Sequence, residues 1–173
     1  MFGNNGSRIA SLLMRVLPVS RCHGLKAWLL RHIGGIKIGR NCEIWSGSRF
    51  VGQYITIGDN CFISGGVTIS GLSPEGDIVI GDNCDIGPDV YLTTGTHHVG
   101  SMVRRSGKGT SKPIRIGDGC AIAVRAIPLA GVSIGAGSFI GPGVVLSKDV
   151  PPNTLVGQAV VRYLKLPSKG IGR

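Results

Sequence analysis

From Ile38 onward a large aliphatic residue returns at almost every sixth position. Six-residue units begin at Ile38, Ile44 and Phe50, and after one extra residue at Ile57, Ile63 and Ile69. A short loop, SPEGDIV, precedes the units at Ile80, Ile86 and Leu92, and a longer interruption precedes those at Ile116, Ile122 and Pro128. The last full set begins at Ile134, Ile140 and Leu146. The second place in the unit is often Gly. The fifth is small or β-branched, as at Val67, Val90, Ala126, Val132, Ser138, Val144 and Val150. A fixed short period of this kind marks a repeat architecture. Three units make a turn of three short strands with corners between them, and Gly or Asn suits the positive φ of tight corners. The first-place residue of each turn stacks on that of the next at the ordinary strand spacing of about 4.8 Å, so five coils predict a prism roughly 24 Å tall. Each coil touches only its neighbours, and the column therefore needs caps at both ends.

Ahead of the repeat, residues 7–33 predict two short helices parted near Pro18. Ile9, Leu12, Leu13 and Val16 fall at helical spacing, as do Leu25, Trp28, Leu29 and Ile33, with basic residues on the outer faces. The expected role is a lid over the open sheet edge of the first coil. The alternative is a foothold on an anionic membrane surface. One apolar stripe serves one partner at a time, which favours the lid. Arg15 and Pro18 interrupt the apolar run, so a secretory signal is not expected. No run of about 18 apolar residues predicts a transmembrane helix. The expected organisation is a helical cap over 1–35, a repeat domain over 36–157 with a protruding loop at 98–113, and a basic tail over 158–173.

The stretch 92–113, LTTGTHHVGSMVRRSGKGTSKP, is where the repeat breaks most widely. Both insertions leave after the third unit of a coil, so they share one corner of the prism. His97 and His98 open the longer one, and Arg104, Arg105, Lys108 and Lys112 follow, with no acidic residue between Asp89 and Asp118. A regular scaffold interrupted by a histidine-bearing cationic loop is how a fold displays a site. Adjacent residues in extended chain point apart, and register turns His97 toward the groove, where it reads as a general base. The cationic run suits an anionic cofactor; simple solvation is its alternative reading. His23 and His32 read as surface or packing residues.

Composition narrows the field. The formal charge of +10 is concentrated in the N-terminal 35 residues, the central loop and the tail. The basic residues are scattered, only 5% of residues are aromatic and no reader motif is present, so nucleic acid is not an expected partner. Four of the five cysteines, Cys42, Cys61, Cys84 and Cys120, share one phase of the repeat. That is a packing signature for small interior side chains, and it points to structural thiols in a reducing compartment. A zinc site shared through three histidines fails on ligand count, since only His97 and His98 lie in the column. No metal is expected.

The repeat resembles the hexapeptide pattern of the left-handed parallel β-helix acyltransferases, over residues 36–157, about seventy per cent of the chain. The resemblance implies an all-β fold: a left-handed parallel β-helix of about five coils with an N-terminal helical cap. The hand comes from the resemblance alone. IGDNCDIGPDVYLTTGTHHVGSMVRRSGKGTSKPIRIGDGC and IGAGSFIGPGVVLSKDVPPNTLVGQ look like the galactoside and maltose O-acetyltransferase group. The layout is also similar to acetyltransferases of exopolysaccharide (colanic acid type) and lipopolysaccharide pathways. By that resemblance the protein is a homotrimer, acetyl-coenzyme A lies between subunits along the column, and His97 is the catalytic base. Ser147 and Lys148 fall along the coenzyme groove, Arg162 near its phosphate end, and Arg104 and Arg105 match a basic pair of the long loop. Ser64 and Gly66 occupy a stretch that contacts the acceptor. Ala121 stands where the family often has Trp, and the tail reads VGQAVVR. The acceptor Asn is missing, so the resemblance implies an acceptor other than a galactoside or maltose.

The expected activity is acetyl transfer from acetyl-coenzyme A to a hydroxyl of a sugar or lipid-linked sugar, in the cytoplasm or at the inner membrane face, during surface polysaccharide assembly. A neutral histidine takes the hydroxyl proton as attack occurs and returns it to the departing thiol. The column holds both substrates in register. Two alternatives stand beside this: a non-catalytic hexapeptide scaffold, and a serine-type acetyltransferase, which expects a much larger N-terminal helical domain.

Overall fold

Ile38, Ile57, Ile80, Ile116 and Ile134 stand directly above one another, each paired with the next in parallel register. The computed structural model describes residues 5–157. Ile44, Ile63, Ile86, Ile122 and Ile140 form a second stack on the second face, and Phe50, Ile69 and Leu92 begin a third. Every one of these side chains is buried. A ladder of strands two or three residues long on each of three faces gives a parallel β-solenoid whose core is a column of aliphatic side chains.

The solenoid has about six turns, one more than the repeat predicts. Val150 bridges Ile134 to open the sixth, and Leu155–Val156 pairs with Phe139–Ile140 to extend it. The last corner explains the miscount. From Ile116 to Ile134 the step is eighteen residues, but from Ile134 to Val150 it is sixteen. The corner Ser147–Asp149 is two residues short, and it moves Val150 from a fifth place into a first-place stack.

The recurrent I-G-D-N-C string has a separate cause for each letter. The carboxylates of Asp59, Asp82 and Asp118 each accept a backbone N–H from the coil before, those of Arg40, Asp59 and Asp82 respectively, at 2.7, 2.7 and 2.9 Å. A Cβ added at Gly39, Gly58 or Gly81 would collide with that carboxylate, so these glycines admit a close approach and do not supply a positive φ. The positive φ belongs to Asn41, Asn60 and Asn83, at 55–56°, whose amides bond one another along the corner. The thiols of Cys42, Cys61, Cys84 and Cys120 point inward and donate to carbonyls of the following coil at 3.1–3.2 Å. All four are free and buried, and Cys22 is free and exposed. The neighbouring Cys61 thiol and burial together push the Cys42 thiol well above its ordinary range.

Two helices, α1 (Asn5–Met14) and α2 (His23–His32), cover the first coil. The face that α1 turns inward is not the apolar stripe seen in the sequence. Gly6, Ser7, Ala10, Ser11 and Met14 are buried, while Ile9, Leu12, Leu13 and Val16 are 42, 63, 42 and 84% exposed. The reason is the open edge beneath. An uncovered strand carries unpaired N–H and C=O groups, which need polar partners. Ser11 Oγ accepts from the Phe50 N–H at 3.0 Å, and His23 Nδ1 lies 3.1 Å from both the nitrogen and the oxygen of Ile44. Lys26, fully buried, donates to the carbonyls of Pro18, Val19 and Ile44 at 2.8, 2.7 and 3.0 Å. The lid therefore meets the column through these hydrogen bonds together with a small apolar contact from Ala10, Met14, Ala27, Leu29 and Leu30, and leaves the aliphatic stripe of α1 outward.

Candidate active site

Both insertions leave the corner between the third and first faces, on successive turns. The longer one is an antiparallel hairpin of Gly95–Val99 and Ser106–Ser111, so the excursion starts at Gly95, three residues before the loop expected at 98. Its base is locked by Thr94, which is buried. The Thr94 N–H and hydroxyl both donate to the Ser70 carbonyl, and the Thr94 carbonyl accepts from Lys112 N–H at 3.0 Å. The shorter insertion packs against this base. A Cβ on Gly76 would collide with Ser111 Cβ, and one on Gly95 would meet Leu72 Cδ1 at 2.9 Å.

His97 pairs with Gly109 across the hairpin, and its ring lies over the open side of that glycine, with Cδ2 and Nε2 each 3.9 Å from where a Cβ would stand. A larger residue at 109 would crowd the imidazole. The ring is exposed and makes no hydrogen bond among the described residues, so both nitrogens are available to a substrate. It lines a groove of about 580 Å³ together with Leu72, Ser73, Thr93, Thr96 and Thr110. His98 does not line it. The alternation expected from extended chain holds: of the two histidines, His97 faces the groove.

Below the hairpin the same edge of the prism continues through Lys112, Gly131, Ser147 and Lys148. Lys112 lies along the edge with Cδ 3.1 Å from a Cβ added at Gly131, whose φ is +95°. Leu129 N–H bonds the Leu146 carbonyl at 2.9 Å, which sets the corner holding Ser147 and Lys148 directly under Ala130 and Gly131. Ser147 and Lys148 are exposed. They lie two turns below the hairpin, roughly 10 Å at the spacing of strands. The edge thus presents small residues at its centre and two ammonium groups beside it, a surface along which an extended anionic molecule can lie.

The other residues singled out in the sequence are dispersed. Arg104 and Arg105 sit at the exposed turn of the hairpin, beyond the Val99–Ser106 pair and away from the groove of their own chain. Ser64 and Gly66 occupy the corner between the second and third faces; Ser64 is buried and Gly66 lies against the Asp89 carboxylate. Within one chain they are on a different edge from His97. Arg162 lies outside the described residues. No group of three His, Cys, Asp or Glu among the described residues is arranged to hold a metal ion.

A second cleft, of about 740 Å³, joins the first through Leu72 and Thr93, which line both. Arg8, Arg15 and Arg49 open into it. Residue spacing carries no sign of this cleft, because it depends on which side of α1 faces the column.

A family model described as the hexapeptide repeat of succinyl-transferase matches residues 35–71 and 113–148. Among curated proteins, WcaF of Escherichia coli K12, named as a colanic acid biosynthesis acetyltransferase, is 31% identical over 131 residues, covering 75% of this chain and 68% of WcaF. The galactoside O-acetyltransferase of the same organism is 34% identical over 114 residues, covering 66% of this chain and 55% of that one. The chain spans about half the length of several curated relatives, from 38 to 57%. Among solved structures, a hexapeptide-repeat acetyltransferase of Vibrio cholerae complexed with acetyl-coenzyme A superposes with a TM-score of 0.70 at 29% identity, covering 94% of this chain and 87% of the other. Repeat, hairpin and column together place the chain in the hexapeptide-repeat acetyltransferase family.

Proposed function

We propose that the chain moves an acetyl group from acetyl-coenzyme A to a hydroxyl of a sugar or sugar-containing acceptor in surface polysaccharide biosynthesis. The observation that carries this is the exposed His97 ring at the head of an edge that continues through Gly131, Ser147 and Lys148. The coenzyme supplies an activated thioester. Lys112 and Lys148 flank the edge along which it would lie, and Gly131 and Ala130 leave room for it. His97 takes the acceptor hydroxyl proton as the oxygen attacks the thioester carbon, then gives that proton to the sulfur as the carbon–sulfur bond breaks. The relatives support the donor and the acceptor class: the Vibrio cholerae protein was crystallised with acetyl-coenzyme A, and the named relatives include a galactoside enzyme and a colanic acid enzyme.

The working assembly in this reading is a homotrimer. On the outer side of the second face Phe62, Ala121, Val124 and Phe139 form an apolar patch around a shallow depression that Asp85 also lines, and Phe139 is 46% exposed. Such a surface suits burial against another copy. The outward Ile9, Leu12 and Leu13 of α1, with Val16 just past its end, suit peripheral contact with a bilayer surface. No helix among the described residues is long and apolar enough to cross one.

The test is acetyl-coenzyme A turnover against nucleotide- and lipid-linked sugars, comparing the native chain with His97→Ala. A loss of about 100-fold or more, with coenzyme binding retained, is the expected result. Equal turnover in both removes His97 as the base. No turnover and no coenzyme binding favours a scaffold.

A further inference from the structure

The second cleft lies between α1 and the outer side of the third face, above the His97 groove. Arg8 on α1, Arg15 in the turn just past its end and Arg49 on the first coil all line this cleft. None of the three guanidinium groups has a carboxylate or carbonyl partner among the described residues. Arg31, Arg40 and Arg115 on nearby edges are each engaged, with backbone carbonyls, Asp59 and Asp77 respectively. The remaining lining is uncharged and rich in hydroxyls, with Thr68, Ser70 and Tyr91.

Three like charges around one cleft repel one another, and the packing that brings them together is fixed by other contacts, such as Ser11 on Phe50. A neutral sugar would leave that repulsion unrelieved. A guanidinium matches phosphate geometry with two parallel hydrogen bonds, and several around one anion hold it firmly. Distance fits as well. Arg49 stacks on Thr68 and Thr68 on Tyr91, so the cationic end is two coil spacings, roughly 10 Å, above the turn that launches the hairpin. That is the scale of a sugar ring with its anomeric phosphate.

We infer that the acceptor carries a phosphate or diphosphate ester, held by Arg8, Arg15 and Arg49, while a hydroxyl on its sugar reaches His97. The inference rests on the transferase reading above and narrows its substrate class. A nucleoside diphosphate sugar and a polyprenyl diphosphate sugar present the same group, and the test separates them.

Binding is measured first, by calorimetry with inorganic pyrophosphate on the full chain saturated with coenzyme A, so that the coenzyme's own phosphate site is filled. Arg49→Gln and the double variant Arg8→Gln/Arg15→Gln are each expected to weaken pyrophosphate about 10- to 100-fold, the range of a hydrogen-bonded charge pair, without changing coenzyme A affinity. Equal binding in native and variant chains, or none in either, overturns the inference. Turnover is then compared for a nucleoside diphosphate sugar, a short-chain polyprenyl diphosphate sugar and a neutral methyl glycoside. Preference for either diphosphate supports the inference and identifies the source. A neutral glycoside, or a uronic acid glycoside, used as well as both overturns it. Should His97→Ala keep full turnover, the assignment of the base fails while the pyrophosphate result still decides this one.

Discussion

Replacing Lys26 by Met tests the account of the lid. Methionine keeps most of the stem's packing and removes only the ammonium. Three hydrogen bonds disappear, to Pro18, Val19 and Ile44. Bonds to a charged group contribute about 1.5–3 kcal/mol each, an upper sum of roughly 4–9 kcal/mol. Two effects reduce that sum. Burial pulls the Lys26 ammonium below the ordinary lysine range, so removing it relieves a desolvation cost of several kcal/mol. Two of the three carbonyls also keep a second partner: Ser46 Oγ on Pro18 and Ser46 N–H on Val19. The net loss should be about 2–3 kcal/mol, falling on the lid and first coil. Trp28 on α2 and Trp45 beside the first coil report on that region. Urea unfolding followed by their fluorescence should show a midpoint lower by about 1–2 M, with a slope of ordinary size. A variant as stable as the native chain would refute the view that polar contacts hold the lid, and would leave that role to the buried Met14, Leu29 and Leu30.

The thiols divide sharply. In the native chain only Cys22 should react with a disulfide reagent within minutes, and all five after denaturation; rapid reaction of two or more native thiols contradicts the inward ladder. Acid should weaken the corners. The Arg40 backbone N–H, then its guanidinium, hold the Asp59 carboxyl below the usual carboxylate range. Its contribution is therefore complete above the unfolded value near pH ~4 and lost as pH falls through the lower folded value. The native urea midpoint should drop below about pH 4 more steeply than that of Asp59→Asn.

Periodicity made the column legible because a stacked residue must recur at the same place in every turn, and Ile38, Ile57 and Ile80 do. The same reasoning aligned the two insertions and chose His97 over His98. It failed where the chain departs from the period. The shortened corner before Val150 hid the sixth turn, and the hairpin begins inside what reads as a third unit. The lid failed differently: helical spacing finds an apolar stripe but cannot say whether the surface beneath wants apolar or polar partners. Here an open strand edge wanted polar ones, which turned α1 over and brought Arg8 and Arg15 beside Arg49. Handedness never followed from spacing and came only with the resemblance.

The shared edge under His97 also behaves as a graduated rule. Each turn displaces the chain by one strand spacing, so the separation between the hairpin and any residue lower on that edge comes in whole steps of about 4.8 Å. Inserting or deleting a full turn, such as 116–133, would shift Ser147 and Lys148 by one graduation while preserving every corner above and below. Inserting a few residues would instead rotate all that follows onto the wrong face. Descendants of such a chain can therefore change the length of molecule they accommodate only in fixed increments, and the hairpin, tied to a single turn by Thr94, is the zero mark.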